Sequence, residues 1–164
     1  MFLINENMTA NEIKKEIDEI LKPIKLFCKR WRVQFQYADN VILAEPVIER
    51  IDELIELLKQ HDDDDDLKAR AEKFSKLKQD LDVLAISLGQ LSSLEIELIY
   101  KVLFANTMQA ELVGDTQMWA KFNVENVSPP KINALYQEAC SSLLEMIKYN
   151  RIRNGSYRCL INFI

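Results

Sequence analysis

The chain has 164 residues, 48% of them apolar and 29% charged, which is ample material for a globular core. Three glycines and four prolines leave little provision for the many turns of an all-β protein, so the composition points to long helices joined by few loops. No window reaches the roughly 18 apolar residues of a membrane span, and the opening MFLINENMTANEI lacks the basic-then-apolar layout of a signal peptide.

Cys28, Cys140 and Cys159 are odd in number and far apart. They fit reduced thiols in a cytoplasm, used as small buried apolar residues, better than a disulfide framework. The net charge of −5 is unevenly spread. Residues 1–118 hold 15 Lys+Arg against 23 Asp+Glu, a net −8, whereas residues 119–164 hold 6 against 3, a net +3. After Glu145 no acidic residue remains, while Lys148, Arg151, Arg153 and Arg158 follow. Such asymmetry points to an anionic partner for the basic end.

In chain order, Thr9-Ala10-Asn11-Glu12 matches a capping box and predicts a helix start. Ile13, Ile17, Ile20, Ile24, Phe27 and Trp31 then form a heptad seam, and Pro23 inside it predicts a kink or a split. Val33, Phe35 and Tyr37 alternate, as in an extended segment. Pro46 suits the first turn of a second helix, whose apolar face is Val47, Ile51, Leu54, Ile55 and Leu58. The run HDDDDD at 61–66 breaks the pattern. A third helix follows, with a stripe from Leu67 through Ala71, Phe74, Leu77, Leu81 and Leu84 to Leu88 and Gly89 near its end. The seams suit either an antiparallel hairpin or a dimerising coiled coil, since both bury the same stripe.

Ser92-Ser93-Leu94-Glu95 is a second capping box, followed by a short helix with Leu94, Leu98, Ile99 and Val102 inward. Residues 106–115 read as a connection with room for one helical turn, and Asp115 or Thr116 caps the next helix, QMWAKFN. Then comes FNVENVSPPKINALYQEACSSLLEMIKYN. Ser128 caps it, Pro129 and Pro130 fit its first turn, and Ile132, Leu135, Ala139, Leu143 and Ile147 form its buried stripe. Lys131, Asn133, Ala134 and Gln137 fall on the open side near the helix start. In the tail, Asn154-Gly155 signals a tight turn and a short C-terminal β-ribbon.

Little of this points to catalysis. Read from Asp62 as a calcium loop, the acidic run has Leu67 where a glycine is needed and Lys73 where a glutamate is needed. A solvated acidic loop is expected instead. His61 is the only histidine and the cysteines are isolated, so no zinc cluster and no nucleophile–base pair is expected. No Gly-rich phosphate loop is present. The chain is expected to be no enzyme and to need no cofactor or metal.

A helix-turn-helix requires a scaffold helix, a turn and a recognition helix whose first residues reach base edges. From Ser128 on, SPPKINALYQEACSSLLEMI resembles the recognition helix of sigma-factor region four: Ser128, Ile132, Leu135, Ala139 and Leu143 match its hydroxyl and apolar positions. LSSLEIELIYKVLF resembles the helix that opens the same module. The order of parts is similar to the ArpU/RinA-type transcription regulators of phages and prophages in Gram-positive bacteria, over about residues 75–149. The resemblance implies an all-α fold, with a hairpin- or coiled-coil-like helical part over 1–66 and a helix-turn-helix module with its leading helix over 67–150; the basic, apolar tail over 151–164 lies outside the shared module. It implies sequence-specific binding of double-stranded DNA, with RNA polymerase as a further partner, while the heptad seams suggest a homodimer. Carried onto this chain, the base-reading positions fall on Pro129, Pro130, Lys131, Asn133 and Ala134, of which Lys131 and Asn133 keep strong hydrogen-bonding side chains. Lys131, Asn133 and Gln137 are the candidates for bases; Lys121, Lys148, Arg151 and Arg153 are those for phosphates. Two departures stand out. The recognition helix is poor in arginine. Ala120 lies about two residues too far before Ser128, so either the turn is expanded or the scaffold helix is short. The tail beyond Asn150 either lies on DNA as a wing or closes the core with Leu160, Ile161 and Phe163. A helical protein–protein module that binds no nucleic acid is the alternative, supported by the acidic net charge and the long apolar seams.

Overall fold

A computed structural model describes residues 8–61 and 63–162, with side chains described up to Arg153. The chain is mostly helical, as an all-α fold requires. Helix α1 spans Ala10–Trp31, the strands β1 and β2 span Gln36–Ala38 and Val41–Leu43, and α2 and α3 span Glu45–Lys59 and Asp65–Gly89. Helix α4, Ser93–Ile99, runs into a π-turn over Tyr100–Phe104; α5, Gln109–Gly114, and α6, Thr116–Lys121, are short; α7 covers Pro129–Asn162.

Both predicted capping boxes sit at helix starts. Thr9 Oγ1 accepts the Glu12 amide at 3.2 Å. Ser92 and Glu95 form the full reciprocal pair, at 3.3 and 2.9 Å. Helix α1 is neither ended nor split at Pro23. The proline lies on the exposed side, where water can replace the donor it removes. The extended segment is one arm of a hairpin with Tyr37 opposite Ile42. Its two-residue turn places Asp39 and Asn40 at φ of 50° and 63°, as a type I′ turn demands. The hairpin is anchored by aromatic packing: the Tyr37 ring stacks on Tyr100 at 4.3 Å, and Phe35 meets Phe104 edge-on at 4.8 Å.

The apolar seams are used within the chain. Ile13, Ile17, Leu21, Ile24 and Phe27 of α1 are buried, and α1 packs on α3 and α7. Helices α2 and α3 form a packed hairpin, with Val47, Ile51 and Ile55 of α2 and Leu81 and Leu84 of α3 all buried. The boundary expected after residue 66 falls within the first turn of α3, the helix packed on α2. Only part of the aspartate run is a solvated loop. Asp64 caps α3 by accepting from Asp66 and Leu67, and Asp65 and Asp66 form its first turn, where the helix dipole favours negative charge. Asp62 lies outside the described residues.

Helix α7 is the central post, with α1, α3 and α4 all packed on it. Its 34 residues make it roughly 51 Å long. The expected stripe is buried except for Leu135, which is half-buried; Tyr136, Cys140 and Leu144 widen it. No C-terminal β-ribbon forms at Asn154-Gly155, because α7 passes through both residues. An isolated two-stranded ribbon is marginal in water, whereas an existing helix extends without a new nucleus. The apolar tail residues Leu160 and Ile161 have side chains outside the described set, and Phe163 lies outside it altogether. Among the described residues, no helix is long and apolar enough to cross a membrane.

Candidate nucleic-acid interface

Helices α4 and α5 pack against α7, with the π-turn packed on α4 and α6 tied to α5. The π-turn is marked by the Ala105 amide, which donates five residues back to the Tyr100 carbonyl at 2.8 Å. It carries Lys101, whose ammonium lies 2.7 Å from Asp115 Oδ2 and 3.5 Å from Glu97 Oε1. Burial pulls the Lys101 pKa down, but Asp115 and Glu97 outweigh it and the net shift is upward. The same hydrogen bond lowers the Asp115 pKa against partial burial, helped by the Met118 amide. Asp115 thereby joins two elements, because its other oxygen caps α6 by accepting the Met118 amide at 3.2 Å. Buried Trp119 donates its indole N–H to the Leu112 carbonyl at 2.6 Å and so binds α6 to α5.

Both sequence explanations of the long spacing before Ser128 apply. Helix α6 has six residues, and Phe122–Ser128 form a seven-residue connection. Two of its residues, Asn123 and Asn126, have positive φ of 56° and 55°. Ser128 Oγ accepts the Lys131 amide at 3.4 Å, the expected N-cap.

Asn133, Ala134 and Gln137 are exposed, opposite the buried Ile132, Tyr136, Ala139 and Cys140. The Asn133 carbonyl oxygen accepts from Gln109 Nε2 of α5 at 3.2 Å. Lys131 is half-buried, and its ammonium donates to the Glu125 carbonyl. Gln137 borders a polar groove with Ala134, Ser141 and Ser142, flanked by Glu95 and Glu138.

The remaining cations are scattered. Lys121 is exposed and donates to Asn40 Oδ1 at 3.1 Å. Lys148 is paired with Glu16 of α1 at 3.2 Å. Arg151 and Arg153 are exposed, but twenty residues of helix separate Arg151 from Lys131, about 30 Å along the axis. The structure thus brings Lys131, Asn133 and Gln137 to one helix start and leaves Arg151 and Arg153 at the far end. Gln109 and Glu95 also belong to this surface. Neither is visible from the α7 pattern, since both come from other elements through tertiary packing.

No family model, no curated protein and no solved structure matches this chain.

Proposed function

We propose that the chain is a sequence-specific DNA-binding regulator that reads duplex DNA with the first turns of α7. One observation carries this: Asn133, Ala134 and Gln137 are exposed on a capped helix start whose opposite side is locked into the core. A side chain there has no packing duty, and a rigid backing holds it at a fixed angle. Asparagine and glutamine amides can donate and accept together along an adenine edge. The Asn133–Gln109 bond is between exposed amides, so base edges can replace it at little cost. Lys131 uses one of three N–H donors on Glu125 and keeps two for an acceptor in the groove. Regulation of phage or prophage genes in a cytoplasm, with RNA polymerase as a partner, follows from the resemblance to ArpU/RinA-type proteins.

A protein–protein module is a second reading, favoured by a specific observation. Lys121, Lys131 and Lys148 already have protein acceptors, and two glutamates flank Gln137. Fluorescence anisotropy with duplexes from the region flanking the gene separates the two. DNA reading predicts affinity that falls steeply as salt rises. It also predicts a loss of about 1–3 kcal/mol in sequence preference for Asn133→Ala or Gln137→Ala, with folding unchanged. Absence of duplex binding at low salt would overturn it.

A further inference from the structure

The N-terminal half carries two surfaces of opposite charge, neither of which takes part in the α7 site. Between Ile20 and Phe35 the sequence has five cations and no acid. On α1, Lys22, Leu26, Lys29 and Arg30 share one exposed face. Beside them a groove between α1 and α3 has Phe27, Phe74 and Leu77 as its floor and Arg30 and Lys73 on its rims. Leu26 is 58% exposed at its edge. Among the described residues, none of Lys22, Lys29, Arg30 or Lys73 lies within ion-pair distance of a carboxylate.

The second surface is the outer side of α2. Glu49, Glu53, Glu56 and Gln60 fall on one helical face around Leu57, which is also 58% exposed. Among the described residues, Glu53 and Glu56 pair with Arg50 and Lys59, three residues away on the same helix, at 3.4 and 4.0 Å. Such pairs are weak and leave the acidic field largely in place.

We propose that a second copy of this chain docks here, with the acidic α2 face of each protomer seated on the basic α1–α3 groove of the other. The two surfaces are opposite in charge, and each carries one exposed leucine. A two-fold dimer makes this contact twice, once in each direction. The net charge of −5 does not oppose this, because only local patches act across a Debye length of about 8 Å at physiological salt. A nucleic-acid backbone suits the groove less well, since a phosphate chain offers nothing apolar to cover Leu26 and the aromatic floor.

The inference does not rest on the DNA reading, and sedimentation of the full chain tests it separately. The wild type is expected to be a dimer at low salt and to dissociate as salt rises. Arg30→Glu with Lys73→Glu, and separately Glu53→Lys with Glu56→Lys, should each give folded monomers by circular dichroism and sedimentation. Mixed in equal amounts, the two variants should regain the dimer. In that hybrid one contact is wild type on both sides and the other is reversed on both sides, so each is attractive. A wild type that stays monomeric at its highest soluble concentration overturns the proposal. So does a dimer that survives either reversal, a mixture that fails to reassociate, or a monomer whose groove reversal abolishes binding to duplex DNA.

Discussion

Asn150 is buried among the apolar side chains of α7, where an asparagine survives only with its amide satisfied. Its Nδ2 donates to Ser87 Oγ and to Gln90 Oε1, both at 2.9 Å, and the Ser87 hydroxyl in turn donates to the Val83 carbonyl. This fixes α7 in register and rotation against the end of α3. Asn150→Ala leaves the buried Ser87 Oγ without its donor and should cost about 1–3 kcal/mol in urea unfolding. The half-buried Cys28 gives a second test. Burial pushes its thiol pKa up to about 11, partly offset by a backbone hydrogen bond. Peptide-resolved alkylation at pH 8 should therefore find Cys28 far slower than an unhindered cysteine, whose thiol titrates near 8.5. The α7 stripe through Ile132, Ala139, Leu143 and Ile147 is legible from spacing alone. Asn150 is not, because a polar residue at a buried position is justified only by partners some 60 residues away in sequence.

The short elements before α7 hold together through a few polar atoms, with Asp115 the most connected. Its pKa is lowered in the folded chain, so its stabilising effect is present above the unfolded value of about 4 and is lost as pH falls through the lower folded value. Asp115→Asn removes this dependence, so the variant should show a shallower fall in stability from pH 4 downwards, measured by urea titrations at each pH. Ser92→Ala should cost about 1 kcal/mol, as for other N-caps, since its hydroxyl accepts the Glu95 amide. Both caps are readable as sequence patterns. The π-turn is not, because one extra residue in a helical turn leaves no compositional mark, only the hydrogen bond from Ala105 to Tyr100. The second arm of the β-hairpin is hidden for a related reason: its turn is Asp39-Asn40, with no glycine to announce it. For the candidate interface, the exposure of Asn133 and Gln137 follows from helical periodicity. The capture of Lys131 by Glu125 and of Lys148 by Glu16 depends on how distant segments meet.

At the scale of the molecule, the buried side chains from α1 to α7 form one continuous cluster. Folding should then be a single cooperative event. Thermal melts followed by far-ultraviolet circular dichroism and by tryptophan fluorescence, to which buried Trp119 contributes, should coincide. Leu143 is fully buried in the middle of α7, and Leu143→Ala should cost about 2–5 kcal/mol in the same unfolding assay. The mostly helical character is legible from scarce glycine and heptad spacing. The continuation of α7 past Asn150 is not, because Asn-Gly favours a turn locally while the packed helix upstream favours propagation.

Among the described residues, every left-handed backbone position is held by a residue with a side chain: Asn in four cases, Asp and Arg in the others. Asparagine tolerates this conformation but has less backbone freedom than glycine when the chain is unfolded. Two of the four asparagines lie in the connection from α6 to α7. That connection is thus a shaped joint rather than a hinge. The angle at which the first turns of α7 meet a partner is set before contact, so calorimetry of binding at that surface should show little entropic penalty from ordering the protein.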